Sequence, residues 1–503
     1  MNLTMTRQIR GSVLLVFGRG ISLGLNLVTQ VLCVRYLSKA DYGSFAYAIA
    51  MIEMLALLNT LGFDNSIPRF AAIYDQNKKS RLFVGLLVIS FSLVVLFGLF
   101  VVGLGFYSVD LWSEWTNANP LAVNLIVLLL VLVPIQAIDA LMLGLFGVFS
   151  GARHILLRKH IVRPILRLAA VLFMIYSEGD TTTLAVSFVV VGVLGVAVFL
   201  GALVRVVSSS ELMQTWDRKI EYRLQETLYY NAPILTSNLV FIFRGALIIF
   251  LLEYFHNASE VADLLAVMPF GRLVELVLLN FTVLFVPAIS RAFAADDKRE
   301  ISATYIGTQI WITLLSFPLF ALGFGYADIL TPFLFGESYA SASEVLAWLA
   351  LGFYIRIVFG LASRTLKVLG HLRVVITIDV ITVFFALIVS LWLIPLHGAT
   401  GAAISASLTM AFHGLFSQFA LYRVSQIGLW DQASGKLYAS VAVTVLALCA
   451  LRWLVDVNAW VLGIAAMLPA GLLPFLFRYQ LSIHQHTPEL KSALKSLRSR
   501  FKG

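Results

Sequence analysis

Apolar runs of about twenty residues recur along nearly the whole chain, each a helix-length crossing of about 30 Å of hydrocarbon. Short polar segments separate them. Inside a bilayer each backbone N–H and C=O must find its partner within the protein, so each run is predicted to be a helix. The spans read from this pattern are 11–37, 43–63, 81–107, 121–149, 164–177, 183–207, 228–255, 263–290, 304–328, 343–367, 373–396, 398–422, 437–455 and 459–479. The fold expected is an all-α polytopic membrane protein of about fourteen transmembrane helices. The fifth span is short because Pro164 is taken as its start.

Composition points the same way. Of 503 residues, 60% are hydrophobic and only 13% charged, against about a quarter charged in soluble domains. The mean hydropathy is +0.91. Cys33 and Cys449 both lie in apolar runs, which argues against a disulfide framework and offers no metal spacing. The first apolar run is too long for a cleaved signal and is expected to remain as a span.

The net charge of +9 would suit nucleic acid if it were clustered. It alternates instead. Arg69, Lys78, Lys79 and Arg81, then Arg153, Arg158, Lys159 and Arg163, then Arg218, Lys219 and Arg223 fall in every second connection, as do later groups. The other connections hold Asp110, Glu114, Glu178, Asp180, Glu260, Asp328 and Glu337, and little basic beyond Arg35, Lys39 and Arg452. The positive-inside rule then predicts an inner-membrane protein with both termini in the cytoplasm. The tail after Thr487 and Pro488 sets Leu490, Leu494 and Leu497 against Lys491, Lys495 and Arg498, the pattern of a basic amphipathic helix on the membrane surface.

The longest polar stretch between spans, 208–227, reads as a cytoplasmic linker. It divides the chain into an N-terminal six-helix lobe (1–207), a C-terminal six-helix lobe (228–424), helices 13 and 14 (425–480) and the basic tail (481–503). A faint repeat supports two pseudo-symmetric bundles: the segment from Arg35 to Gly43 and that from Glu253 to Val261 occupy equivalent places in the two halves. Two such lobes suggest a transporter with its site at the interface.

Polar side chains inside apolar spans are costly and mark function. Span one carries Ser12, Arg19, Ser22, Asn26, Thr29, Gln30 and Cys33 on one broad stripe, expected to face a wet cavity. An arginine cannot lose its proton to become neutral, so it needs water or an anion. The candidate substrate-binding residues are Arg19, Asn26, Gln30, Arg244, Arg272 and Arg356; the candidate ion-coupling residues are Glu53, Asp139, Glu275 and Asp379. The bland alternatives are pairing of Arg272 with Glu275, pairing of Asp379 with Arg364 or Arg373, and a protonated Asp139 bonding between helices. The chain has no P-loop, no dinucleotide glycine pattern, no His/Cys metal cluster and no large loop for a catalytic domain. No enzyme, cofactor or ATP-driven step is expected.

Several phrases resemble a known family. They are Gly18-Arg19, Arg35-Tyr36-Leu37-Ser38 with Asp41-Tyr42-Gly43, Leu61-Gly62-Phe63 with Pro68-Arg69, the run from Phe285 to Arg291, the run from Phe335 to Tyr339, and the run from Ile394 to Ala403. Together they resemble Wzx-type polysaccharide-biosynthesis flippases of the multidrug/oligosaccharidyl-lipid/polysaccharide (MOP) superfamily. The resemblance implies two six-helix bundles around a cationic cavity. It implies flipping of an undecaprenyl-diphosphate-linked oligosaccharide to the periplasmic leaflet for O-antigen, capsule or exopolysaccharide. The partners implied are that lipid-linked sugar, membrane lipids, and the polysaccharide polymerase and chain-length regulator. The alternatives are a drug/cation antiporter or a peptidoglycan lipid-precursor flippase of the same superfamily, a non-transporting scaffold of glycan assembly, and an integral-membrane polymerase or ligase.

Overall fold

The structure, a computed structural model, describes residues 3–108, 120–150, 152–428, 432–455 and 458–476. The connection 109–119 and the amphipathic tail from Thr487 lie outside the described residues. What is described is helix joined by turns, bends and short irregular connections. Among the described residues ten helices are long and apolar enough to cross a membrane, and two shorter apolar helices, Pro120–Leu129 and Ala459–Leu473, accompany them. The chain is a multi-pass membrane protein.

In chain order the helices begin with α1 (Leu3–Tyr36), α2 (Lys39–Asn59), α3 (Phe63–Gln76), α4 (Ser80–Tyr107), α5 (Pro120–Leu129) and α6 (Leu132–Phe149). A short α7 (Ala152–Ile155) runs through a π-helical turn (Leu156–Val162) into α8 (Arg163–Tyr176), followed by α9 (Thr181–Ser208) and α10 (Glu211–Gln214). Then come α11 (Leu224–Phe255), α12 (Ala258–Ala294), α13 (Lys298–Gly325), α14 (Ala327–Phe335), α15 (Ala342–Val358) and α16 (Ala362–Val368). The last are α17 (Leu372–Ser425), α18 (Gln432–Trp453) and α19 (Ala459–Leu476). The 54 residues of α17 are two legs, because Gly398 turns the chain at φ 54° and ψ −132°. The fifth span starts before Pro164, because α7, the π-helical turn and α8 run on as one helix, a correction taken up below.

The faint repeat is also a repeat of helix lengths. The 34 residues of α1 match the 32 of α11. The 38 of the segment Lys39–Gln76 match the 37 of α12, and α4 and α13 both have 28. The helix starts are built alike too. Ser38 Oγ accepts the Asp41 N–H at 3.2 Å, and Asn257 Oδ1 accepts the Glu260 N–H at 3.1 Å. Each is a polar cap three residues before an acid, at a helix N-terminus that favours negative charge.

The chain divides into two compact units, residues 1–266 with 390–402, and residues 267–389 with 403–503. In the first, α1 packs along α8 and the π-helical turn, α2 against α5, α6 and α11, and α9 against α6 and α8. Its core runs from Phe63 and Phe83 through Leu141, Leu145 and Phe146. The first turns of α12 are tied into this unit: Lys39 Nζ lies 2.8 Å from the Asp263 carboxylate, and Glu260 accepts the Ala399 N–H at 2.7 Å. The linker is fixed as well. Arg81 Nε donates to Asp217 at 3.0 Å and the Glu221 amide donates to the Arg81 carbonyl at 3.3 Å. The Arg81 guanidinium holds the Asp217 carboxyl below its usual range.

In the second unit α13 packs against α15 and α19, with Tyr354 stacked on Phe320 at 4.7 Å. The last helices are fastened by Trp348 stacked on Trp453 at 4.2 Å. Beside that stack Arg452, 8% exposed, makes bonds of 3.1 and 2.9 Å to the two Asp328 oxygens and one of 3.1 Å to the Phe324 carbonyl. This accounts for a basic residue in an otherwise acidic connection. Arg452→Ala is expected to lower stability by about 1–3 kcal/mol, the usual cost of losing bonds to a charged group. An unchanged melting temperature in detergent would show the fork to be dispensable.

Candidate functional site

The charged interior of the first unit centres on the helix that α7, the π-helical turn and α8 make together. Proline has no N–H, and its ring clashes with the carbonyl four residues back. Pro164 does not end the helix here. The chain widens before it: the Arg163 N–H donates to the Arg158 carbonyl, five residues back. Such π-turns are common at functional sites. This one turns Arg158 and His160 into the protein, where both are buried.

Arg158 Nε lies 2.7 Å from Asp139 Oδ1, and the two side chains are 5% and 6% exposed. The Arg158 guanidinium sits 4.9 Å above the Phe199 ring, a cation–π arrangement. Gly195 leaves room for it in this position, since a Cβ there would fall 2.6 Å from Arg158 Nη1 and push the guanidinium aside. The same carboxylate reaches Arg163 at 3.8 Å through Oδ2. One turn on, Arg167 lies 3.6 Å from Glu53 on α2 and 5.8 Å from the Phe188 centroid. Arg163 is 33% exposed, Arg167 26% and Glu53 47%. Lys159 lies within electrostatic range of Arg163, and of Arg19 on α1.

Gly18 lets α1 approach this helix, against Leu156 and His160, and so places Arg19 beside the cluster. A small cleft, with room for about 50 Å³, opens between α6, α8 and α9, lined by Gln136, Asp139, Arg158, Arg163, Arg167 and Phe188 among others. Four arginines and a lysine thus face two carboxylates, an arrangement that attracts a multiply charged anion and offers it forked donors.

The model of the family described as "Polysaccharide biosynthesis protein" matches residues 9–293, more than half of the chain. The chain belongs to that family. Among curated protein sequences nothing matches it. Its fold is that of MOP-superfamily transporters. A structure of the lipid II flippase MurJ in an inward closed conformation aligns with a TM-score of 0.70 at 14% identity, over 94% of this chain and 99% of that one. An inward-facing MATE family multidrug transporter aligns at 0.63 and 15%, over 81% and 96%. A Vibrio cholerae MATE transporter aligns at 0.54 and 16%, over 84% and 97%.

The structure scatters the residues singled out in this family member's sequence. Arg19, Glu53 and Asp139 come together in the cluster. Asp139 is not a lone acid but is held between Arg158 and Arg163. Asn26 bonds within α1, to Ser22 at 2.7 Å. Gln30 donates to the Leu265 and Ala266 carbonyls at 2.7 and 2.9 Å and to the Tyr42 hydroxyl at 3.0 Å, so its amide is occupied in joining α1 to α12. The Arg244 side chain lies outside the described residues.

In the second unit Arg272 is exposed, and Glu275 pairs with Arg356 at 2.9 Å rather than with its helix neighbour. Asp379 meets His413 Nε2 at 3.0 Å, a partner the sequence did not suggest. Arg158, Lys159 and Arg163, expected in a connection, lie instead on the helix that runs through the π-helical turn, as does Arg167, which is not among the candidates. The findable signal was their continuation at helical spacing into the apolar run, opposite a solitary buried acid.

Removing one partner of a buried ion pair strands the other, at about 3–5 kcal/mol, whereas replacing both with apolar residues is often neutral. Asp139→Leu is therefore expected to melt well below the parent, and Asp139→Leu/Arg158→Met close to it. Additive losses in the double variant would refute the pairing.

Proposed function

We propose that this chain flips a polyprenyl-diphosphate-linked oligosaccharide from the cytoplasmic to the periplasmic leaflet of the bacterial inner membrane. The reading belongs to surface polysaccharide assembly, whether O-antigen, capsule or exopolysaccharide. One observation carries it: the cleft in the first unit is lined by three arginines, Arg158, Arg163 and Arg167, against one acid, Asp139, and the nearby charges are Arg19, Lys159 and Glu53. A drug-cation carrier needs the opposite sign. A diphosphate presents two adjacent charged groups, and Arg163 and Arg167, one turn apart and partly open, match it with forked donors. Family membership and the MurJ-like fold support the same class of cargo.

The alternation of Lys and Arg between connections supports cytoplasmic termini. On this reading the head group binds from the cytoplasmic side, the prenyl tail stays among the lipids, and alternating access releases the sugar outside. No step makes or breaks a covalent bond, so no catalytic residue is needed. The polymerase and chain-length regulator would take up the product.

In a strain deleted for this chain, Arg163→Ala/Arg167→Ala is expected to restore less than a tenth of the surface polysaccharide that the parent restores, at equal protein level. Full restoration would reject the assignment. Export of organic cations by the parent chain would favour an antiporter instead.

A further inference from the structure

The charges of the cleft are held in two different ways. Arg158 and Asp139 are closed off at 2.7 Å with both side chains about one-twentieth exposed. Arg167 and Glu53 sit 3.6 Å apart, beyond the 2.7–3.2 Å of a hydrogen bond to an ionised group. Glu53 is 47% exposed, and it reaches across from α2 rather than from the helix that carries the arginines. Arg163, likewise, meets Asp139 only at 3.8 Å, through the oxygen that Arg158 leaves unused. One pair is built into the core; the others are loose contacts made by arginines that line the cleft, with Glu53 beside it.

An arginine inside a membrane cannot be left bare, because it stays charged and the surroundings solvate it poorly. A site meant to receive an anion therefore needs a substitute anion while it is empty. The substitute must bind weakly enough to leave. A long carboxylate contact on a half-exposed side chain meets both needs, and a phosphate offering bonds of about 2.7–2.9 Å to the same guanidinium wins the exchange.

We infer that Glu53 is the resident counter-ion of the anion site, held by Arg167 when the cleft is empty and displaced from it by the incoming diphosphate. The inference rests on the proposed function, because it takes the cleft to be the diphosphate site. It assigns Glu53 a role opposite to that of a cargo ligand: it competes with the cargo and sets its affinity. Arg158 and Asp139 stay paired throughout and hold Arg163 in place.

The exchange can be read with the purified chain in lipid nanodiscs and farnesyl diphosphate as the probe, with farnesyl phosphate and inorganic pyrophosphate run alongside. Glu53→Gln removes the competing charge and is expected to tighten farnesyl diphosphate binding three- to tenfold. A gain of affinity cannot arise from misfolding. Arg167→Ala should weaken binding at least fivefold, and Glu53→Gln/Arg167→Ala should show no tightening over Arg167→Ala. The gain should be larger for the diphosphate than for the monophosphate, and inorganic pyrophosphate should share it if the charged group alone drives the exchange.

If Glu53→Gln binds no better than the parent while Arg167→Ala binds worse, the exchange is overturned and the anion site stands. If Arg163→Ala/Arg167→Ala binds as the parent does, or the parent does not bind, the anion site falls and the exchange with it.

Discussion

An arginine keeps its charge at any depth in a membrane, and the interior of the first unit is arranged around that fact. Arg158 is the least exposed of the cluster's arginines and the most fully compensated. It has a carboxylate at 2.7 Å, an aromatic face at 4.9 Å and a glycine opposite that leaves room for its guanidinium. None of these would suffice alone, since a buried pair gains little over its desolvation cost unless the geometry is good. The widened turn before Pro164 brings Arg158 inward. The more exposed cations, Arg163 and Arg167, are left with longer contacts of 3.8 and 3.6 Å.

The second constraint is the backbone. Helices in a bilayer can break only where the freed groups find partners. At Gly398 the Ala399 amide is taken by Glu260, and the Ile394 carbonyl lies 2.7 Å from His256 Nε2. Between α2 and α3 the chain turns through Leu61 and Gly62, both at positive φ, and the Thr60 hydroxyl lies 2.9 Å from the Leu57 carbonyl and 3.1 Å from the Asp64 carboxylate. The family phrases noticed in the sequence fall at such places: Gly18-Arg19 at the approach to the π-turn, Leu61-Gly62-Phe63 at the break after α2, and Gly398 at the corner of α17. They mark where the chain must bend or pack closely, more than where chemistry occurs.

The spans were legible because a bilayer imposes a long, uniform apolar pattern that tertiary contacts cannot hide. The site was legible only in part. Arg19, Glu53 and Asp139 stood out as polar residues in apolar runs, but the helix that completes the cluster did not. Lys159 and Arg163 look like a cytoplasmic loop by charge, and Pro164 looks like a helix start by its usual preference. A π-turn lets a helix run through both, and local sequence does not announce one. Gln30 failed for another reason: a stripe of polar residues on one helix does not say which of them are used to bind neighbouring backbone.

The two halves repeat helix lengths and caps, yet their charges differ. Where α6 and α8 bring Asp139 against several arginines, the second unit pairs Arg356 with Glu275 and Asp379 with His413. Arg364 there donates to a backbone carbonyl of its own helix at 2.8 Å. Repetition conserved what the membrane demands of every half: spans of set length, satisfied ends, and bends with partners. Charge is free of that demand so long as each ion is compensated. An excess of cations persists only where water or an anion from outside the chain solvates it. In the first unit that excess is gathered around the single buried acid Asp139, which is why the proposed anion site is placed there.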